Sequence, residues 1–361
     1  MITASTLTRH PDGSARTDSW QGQLAQAITD PLELLRLLGL DPRLALGAHA
    51  AVSTTGASSF RLRVPRGFVR RMRRGDPHDP LLLQVLPGAR ELIEQPGFGT
   101  DPLGERAATR APGLLHKYHG RALLISTGAC AVHCRYCFRR EFPYHATGGE
   151  GARWQAALEA IAADASIEEI ILSGGDPLSL ANARLTQLTH ALRTVPHIRR
   201  LRIHTRTPIV LPERVDAGLA NWLAALPWPT VIVLHSNHAN EIDSAVRAAA
   251  GRLRAAGATL LNQSVLLAGI NDSVEALEGL SQALWSAQVL PYYLHLLDRV
   301  RGTAHFEVAE PRARALMSGL AARLPGYLVP RLVRESAGAP AKTVLASAEW
   351  DTRHSPRQVE C

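Results

Sequence analysis

From about residue 121 onward, short apolar runs alternate with longer segments whose apolar residues recur at helical spacing. The runs typical of strands are RALLIS (121–126), EEIILS (168–173), RLRIHT (200–205), TVIVLH (230–235), ATLLNQSVLL (258–267) and VLPYYLHLL (289–297). The segments typical of helices are RWQAALEAIAADA, ANARLTQLTHALRTV, PERVDAGLANWLAAL, NEIDSAVRAAAGRLRAAG and SVEALEGLSQALWSAQ. This alternation predicts parallel strands joined by right-handed helical crossovers. By itself it fits a six-unit open barrel as well as a doubly wound sheet.

Residues 1 to about 110 lack this alternation, and their sequence predicts a mainly helical accessory region. DPLELLRLLGL (30–40) begins as a helix should, with Asp30 as the cap and Pro31 at the first helical position. FVRRMRRGDPHDPLLLQVLP (68–87) predicts two short helices that are broken at GDP. Several prolines and glycines follow, as expected at a boundary or in a wrapping segment.

Length and composition narrow the class of protein. The 361 residues suggest two or three domains at about 150 residues each, or one large α/β barrel with an accessory piece. A content of 46% hydrophobic and 20% charged residues excludes wholesale disorder and a coiled coil. No apolar run approaches the roughly 20 residues of a membrane span. Residues 1–20 are polar and carry no apolar signal segment, so the expected location is the cytoplasm.

The basic residues give a net charge of +8, but they are spread along the chain. The one compact run, RGFVRRMRR at 66–74, is interpreted as a solvated helix face in preference to a nucleic-acid patch. Of the forty basic residues only Lys117 and Lys342 are lysines. Because arginine cannot form a Schiff base and lysine can, these two amines are candidates for chemistry that needs a primary amine.

Cysteine spacing is the strongest chemical signal. Cys130, Cys134 and Cys137 fall in CAVHCRYC, directly after the first predicted strand, where α/β folds place reactive loops. Three thiolates can hold three corners of a [4Fe–4S] cube and leave one iron open. The alternative is zinc, which usually wants four ligands. His133 can serve as the fourth, but its neighbour in the chain is already a ligand and the metal would be crowded, so the cluster is favoured.

At these residues the sequence resembles the radical SAM enzymes, whose signature is this spacing with an aromatic residue, here Tyr136, before the last cysteine. The resemblance implies a partial (β/α)6 barrel, which matches the six units above, and S-adenosylmethionine (SAM) chelated to the open iron. SGGDP (173–177), at the end of the second predicted strand, resembles the Gly-Gly-acid element that contacts the SAM amino group. This implies cofactor contacts at Gly174, Gly175 and Asp176.

Further segments resemble the lysine 2,3-aminomutase family over essentially all of residues 115–345. They are HTRTPIVLPERV, LHSNHANEI, LLNQSVLLAGIND, PYYLHLLDRVRGTAHF and YLVPRLVRESAGAPAKTVL. LRVPRGFVRRM, DPLLLQVLP and CRYCFRREFPY most resemble the paralogue that serves elongation factor P. The implied organisation is an N-terminal helical accessory region (1–110), a radical SAM partial barrel (111–325) and a C-terminal segment that binds pyridoxal 5′-phosphate, PLP (326–361).

Site residues are carried over position by position. Lys342, in the loop AGAPAK, matches the lysine that binds PLP covalently. One of the two lysines of the chain thus falls at the position that needs a primary amine. Near the cofactor phosphate the family's positions are matched by Lys117, Tyr118 and Arg121, where cations and a phenol suit an anion. Surface charge is the alternative interpretation for the two cations.

Arg139 matches the arginine that pairs with the substrate carboxylate, a task that suits a planar guanidinium. Asp298 and Glu335 match two acids that hold the distant ammonium of lysine; otherwise they are surface acids. Gln263, like His235 and His238, either touches SAM or is a satisfied core or loop residue.

Two departures from the family are visible. Free-lysine aminomutases carry Asp where this chain has Glu335. They also carry extra cysteines for a structural zinc, whereas here only Cys361 remains near the end of the chain. The sequence therefore predicts no zinc site.

The resemblance implies a PLP-dependent radical SAM isomerase that converts L-α-lysine to (R)-β-lysine for the post-translational modification of elongation factor P. It implies a partner ligase and a one-electron reductant such as flavodoxin, with no membrane and no nucleic acid. The alternative substrates are free lysine and glutamate, although paired acids at 298 and 335 favour a cationic side chain. An alternative from another functional class is a non-catalytic basic Fe–S protein that binds nucleic acid. Such a protein would bind DNA or RNA with salt-dependent affinity and would hold no PLP. The lack of aromatic-interleaved basic stripes argues against it.

Overall fold

The computed structural model describes residues 19–45, 60–144 and 150–347. Residues 1–18 of the polar N-terminal stretch and Cys361 lie outside the described residues.

One sheet of ten strands organises the described chain, and its strands follow one another in chain order. The strands are β1 (Thr109–Ala111), β2 (Leu114–Tyr118), β3 (Arg121–Thr127), β4 (Glu169–Gly174), β5 (Arg200–Thr205), β6 (Thr230–His235), β7 (Thr259–Val265), β8 (Leu290–His295), β9 (Arg331–Arg334) and β10 (Thr343–Val344). Neighbours from β3 to β9 pair in parallel. The outer pairs β1–β2, β2–β3 and β9–β10 are antiparallel.

The six predicted strands are confirmed as β3 to β8, with ends within two residues of the expected ones. Helices join them as expected, so the α/β class and the six units of the partial barrel are confirmed. The α-helices of the described residues are Trp20–Ala25, Pro31–Leu38, Arg66–Val69, Glu150–Ala162, Asn182–Leu192, Thr207–Val210, Ala217–Ala224, Ser244–Ala255, Val274–Ser286 and Glu310–Ala321. Within the part of the chain that the structure describes, no helix has the length and apolarity of a membrane span.

The two faces of the parallel strands differ because successive side chains point to opposite sides. In β5, Leu201 and Ile203 enter the main hydrophobic core with helix residues such as Leu188. The alternate residues Arg202 and His204 line a cavity on the other face. The apolar face therefore holds the helices, and the polar face is free for chemistry.

In the N-terminal region the predicted start of the helix Pro31–Leu38 is confirmed, since Asp30 Oδ1 accepts a hydrogen bond from Leu32 N at 2.9 Å. The prediction of two helices over residues 68–87 is wrong. Only Arg66–Val69 is helical there, and residues 80–86 form turns and a bend.

The side chain of Asp79 satisfies the first backbone N–H groups of residues 80–86, as a helix cap does. Its Oδ1 accepts hydrogen bonds from Leu81 N at 2.9 Å and Leu82 N at 3.0 Å. The helix does not continue, because Val85 N and Leu86 N both bond to Leu82 O and close isolated turns.

The basic run at 66–74 is also not a simple solvated helix face. The helix ends at Val69, and the side chain of Arg71 is only 8% exposed. Its guanidinium donates to the backbone oxygen of Ile209 at 2.7 Å and to that of Glu241. Part of the run therefore fastens the N-terminal region to the barrel.

The antiparallel hairpin β1–β2 and the strands β9 and β10 were not predicted. β9 pairs with β8, so the C-terminal segment extends the same sheet. These strands have only two to five residues, which is too short for a periodic pattern to identify them.

Candidate active site

A cavity of about 560 Å³ lies on the inner face of the parallel strands. His235 lines it, but His238, also considered as a SAM contact, does not. The assigned site residues all line it: Cys130, Cys134, Cys137, Lys117, Tyr118, Arg121, Arg139, Gly174, Gly175, Asp176, Gln263, Asp298, Glu335 and Lys342. Motifs that are far apart in the chain therefore meet in one place.

The three cysteines lie in the loop that follows β3, and all are free thiols. Burial raises the pKa of Cys130. Burial, together with the nearby Cys134 sulfur, raises the pKa of Cys137 to about 11. Neighbouring thiols that resist ionisation need a cation to hold them as thiolates, and an iron–sulfur cluster supplies one. The donor set thus fits a cluster bound at three corners.

The ligand set of a single metal ion differs from that of a cluster. Among the described residues, no three His, Cys, Asp or Glu side chains are grouped closely enough to hold a single metal ion. Zinc needs its donors around one point, whereas a cube binds each thiolate at a separate iron. The Nδ1 atom of His133, the fourth zinc ligand considered above, lies 2.7 Å from the backbone oxygen of Arg61.

Gly174 and Gly175 let β4 approach the cysteine loop closely. Gly175 N donates to Thr127 O at 2.7 Å. A Cβ atom would lie 2.6 Å from Thr127 O if added at Gly174, and 2.4 Å from Ala129 O if added at Gly175. Gly174 also has a φ of +112°. Both positions require glycine, because no side chain fits between the two backbones.

Asp176 fixes the loop that follows β5. Its carboxylate accepts hydrogen bonds from Thr205 Oγ1 at 2.7 Å, Arg206 N at 2.7 Å and Thr207 N at 2.9 Å. A fourth comes from Leu178 N at 3.0 Å. The predicted contact of Asp176 with SAM therefore has to share these oxygens with the protein.

Arg139 already has a carboxylate partner, Glu105, which the sequence analysis did not identify. The Arg139 Nε and Nη2 atoms donate to Glu105 Oε2 at 2.8 Å and Oε1 at 2.7 Å. Nη1 donates to Ser173 Oγ at 3.0 Å and to Gly174 O at 3.4 Å. Burial alone would lower the pKa of Arg139, but Glu105 outweighs it and raises the pKa. Four of the five guanidinium N–H groups are thus in use.

Glu335 lies between the two lysines of the chain. Its Oε1 is 3.1 Å from Lys117 Nζ, and its Oε2 pairs with Lys342 Nζ. Burial alone would raise the pKa of Glu335, but the positive charges of Lys342 and Lys117 lower it to about 2.

The pKa of Asp298 is shifted in the opposite direction. Burial and the nearby Glu335 carboxylate raise the pKa of Asp298 to about 7. One acid of the pair is therefore ionised and the other is half protonated near neutral pH.

The start of β3 is the cationic end of the cavity. Arg121 opens this strand and stacks over the ring of Tyr118 at 4.7 Å. Burial and Glu335 raise the pKa of Tyr118, so its hydroxyl stays protonated. With Lys117 of β2, four positions before Arg121, this end is suited to an anionic group. Gln263 reaches the cavity from β7.

Arg206 is another site residue that the sequence did not single out. Its Nη1 donates to Cys134 Sγ at 2.8 Å, and its Nη2 donates to Glu241 Oε2 at 3.0 Å. Two histidines on the inner face, His204 and His295, were also given no role.

The sequence of this chain is similar to those of known proteins. Residues 124–225 match the family model of the radical SAM superfamily. The chain is 50% identical over 328 residues to L-lysine 2,3-aminomutase of Escherichia coli K12, which covers 91% of this chain and 94% of that one. It is 45% identical to L-lysine 2,3-aminomutase of Haemophilus influenzae, which covers 91% of this chain and 96% of that one.

Among solved structures, a radical SAM methyltransferase from Sphaerobacter thermophilus aligns with 61% of this chain and 68% of its own. The TM-score is 0.43 and the sequence identity 17%, so this similarity carries no further argument.

Proposed function

The chain belongs to the lysine 2,3-aminomutase family of radical SAM enzymes, and from this premise we propose that it uses PLP to convert L-α-lysine to (R)-β-lysine for the modification of elongation factor P. Membership makes the protein an isomerase, and the radical SAM family implies a [4Fe–4S] cluster and SAM. PLP, the cellular role, the cytoplasmic location and the assigned site residues are parts of the proposal.

The observation that carries the proposal is the shared cavity. The cysteine loop follows the end of β3, whereas Lys117 and Arg121 flank its start. Lys342 reaches the same cavity from the C-terminal segment. A primary amine, two cations for a phosphate and three thiols are the donors that PLP and a cluster need.

The chain's own residues would hold each end of the substrate. When bound, the cluster with SAM supplies a carbon-centred radical, and PLP supplies an electron-accepting ring. Asp298 and Glu335 bind the distant ammonium of lysine. The last free N–H of Arg139 meets the carboxylate, because Glu105 holds its other edge. Two fixed ends bring one C–H bond toward the radical.

Lys342 would hold PLP through its Nζ atom. The same atom pairs with the Glu335 carboxylate when it carries no cofactor.

Activity with defined components tests the reaction. Anaerobically reconstituted protein with SAM, PLP, lysine and a reductant should form β-lysine, which chiral chromatography identifies as R or S. Cys134→Ala should lose the broad visible absorbance of the cluster, and borohydride should fix PLP on Lys342. β-Glutamate formed from glutamate in the same assay would establish the alternative substrate. Salt-dependent RNA or DNA binding without PLP would favour the non-catalytic alternative.

The role in elongation factor P modification has its own test. The support for it is the resemblance of the N-terminal segments to the paralogue of that pathway. Mass spectrometry of elongation factor P from cells lacking this protein should show loss of the β-lysyl group. An unchanged mass would contradict the role and leave the isomerase activity untouched.

A further inference from the structure

Two histidines on the inner face of the barrel have side-chain nitrogens with no protein partner. His204, near the end of β5, and His295, at the end of β8, both line the cavity. The Nε2 atom of each is buried and has no hydrogen-bond partner among the described residues. Buried polar atoms are nearly always paired, so two such atoms in one cavity indicate a missing ligand.

Tyr118 Oη and Arg206 Nε in the same cavity are also buried without a partner among the described residues, whereas two arginines of the wall are satisfied. Arg202, two residues before His204, donates to Glu169 Oε1 at 2.9 Å and to its Oε2 at 2.8 Å. Arg139 is engaged by Glu105 in the same way. The two histidines thus differ from Arg202 and Arg139, whose guanidinium groups pair with protein carboxylates.

The surroundings of the pair are positively charged. Burial, and then the charges of Arg202, Lys342 and Arg139, lower the pKa of His204. Burial and Lys342 lower the pKa of His295 to about 3. Both rings are therefore neutral at pH 7, and in this positive environment a ring N–H has an anionic oxygen as its natural partner.

We infer that His204 and His295 donate hydrogen bonds to an anionic oxygen of the ligand carried on Lys342. This deepens the proposed function and rests on it. Two sources offer that oxygen, the substrate carboxylate and the ring hydroxyl of PLP. The carboxylate needs such donors, because the Nε and Nη2 atoms of Arg139 already donate to Glu105.

The test uses PLP-loaded protein without reductant, so that no turnover is needed. His204→Leu and His295→Leu remove the donors, whereas His204→Gln and His295→Gln put an amide N–H near the Nε2 position. His190→Leu is the matched control, because His190 is exposed on the outer helix Asn182–Leu192. The readouts are the visible band of PLP bound to Lys342, its pH midpoint, and its change on titration with lysine or with 1,5-diaminopentane.

The two sources predict different results. If the oxygen belongs to PLP, the Leu variants shift the pH midpoint of the band before any amine is added. If it belongs to the substrate, that midpoint stays, and the lysine concentration for half the spectral change rises about tenfold or more, as expected for a lost hydrogen bond to a charged group. Diaminopentane, which has no carboxylate, then shows no such rise. In either case the Gln variants should recover most of the effect.

An unshifted midpoint and unchanged titrations in both Leu variants would overturn the inference while the proposed function stands. If the unaltered protein forms no PLP band at all, the proposed function and the inference fall together.

Discussion

At the scale of single residues, the cavity sets the charge of each acid separately. Glu335 lies between two lysines and its pKa is lowered to about 2, whereas the pKa of Asp298 is raised to about 7 by burial and by Glu335 itself. The sequence nominated both acids as equals. Their difference follows from what surrounds each carboxylate, and it has measurable consequences.

Lysine binding should release a proton from Asp298 at pH 7. The arriving ammonium favours the ionised carboxylate and lowers the pKa of Asp298 from about 7. Calorimetry of lysine binding to PLP-loaded, unreduced protein, repeated in buffers of different ionisation enthalpy, measures that proton. Asp298→Asn should release much less, and equal release by both proteins would contradict the assignment.

Stability should depend on the same group. The pKa of Asp298 rises from the ordinary 3.8 to about 7 on folding, so the folded state holds the proton more tightly. This stabilisation is complete below pH 3.8 and is lost as the pH rises through about 7. The free energy of unfolding of the ligand-free protein, relative to Asp298→Asn, should fall across that window in urea titrations. A constant difference between the two proteins would count against the shift.

Glu105 is expected to compensate the positive charge of the buried Arg139 and so to stabilise the folded protein. Glu105→Gln should lower the free energy of unfolding by about 3 kcal/mol, the typical result of breaking a buried ion pair. Lysine should raise the melting temperature of PLP-loaded Glu105→Gln more than that of the unaltered protein, because its carboxylate replaces the lost charge. Glu159→Gln, at an exposed helix position, is the control and should change neither quantity. Equal shifts by lysine would argue against contact between Arg139 and the carboxylate.

At the scale of elements, the end of β4 and the cysteine loop act as one unit. Gly175 N and Asp176 N donate to Thr127 O and Ala129 O at 2.7 and 2.8 Å. Asp176 in turn holds the backbone after β5. The loop that carries the thiols is thus positioned by two neighbouring strands, which the SGGDP motif alone did not indicate.

Gly175→Ala should displace the cysteine loop. The added methyl would lie 2.4 Å from Ala129 O, a backbone atom that cannot move alone. We expect iron per chain after anaerobic reconstitution to fall well below the value of about four for a complete cube. Gly251→Ala, in the helix Ser244–Ala255 with nothing within 4 Å of the added methyl, should keep its iron and fold at least as stably. Full iron content in Gly175→Ala would show that the loop is not held by this contact.

At the scale of the whole molecule, side chains join the two edges of the open barrel. β2 extends the sheet beyond β3, and β9 extends it beyond β8. Lys117 of β2 and Glu335, the residue after β9, form an ion pair at 3.1 Å across the gap. Lys342 pairs with the same carboxylate. A ligand bound here would contact both edges at once.

PLP should therefore stabilise the entire fold. At about one hundred times its Kd, mass action adds about 2.7 kcal/mol, which for a chain of this size corresponds to a rise in melting temperature of roughly 5 °C or more. Lys342→Ala should lose most of this rise because the covalent link is gone. Thermal unfolding with and without PLP measures it, and an equal rise in Lys342→Ala would place the cofactor elsewhere.

The sequence by itself determined the six strands from β3 to β8, the helices between them and the cysteine motif, because each depends on periodicity or spacing within a few residues. Family resemblance nominated the site residues. It did not reveal that Glu105 fills the fork of Arg139, 34 positions away, or that Lys117 meets Glu335 across 218 positions. Only the tertiary structure decided these pairs and the unpartnered nitrogens of His204 and His295. Contacts between distant segments, and the charge states that follow from them, exist only once the chain has closed around the cavity.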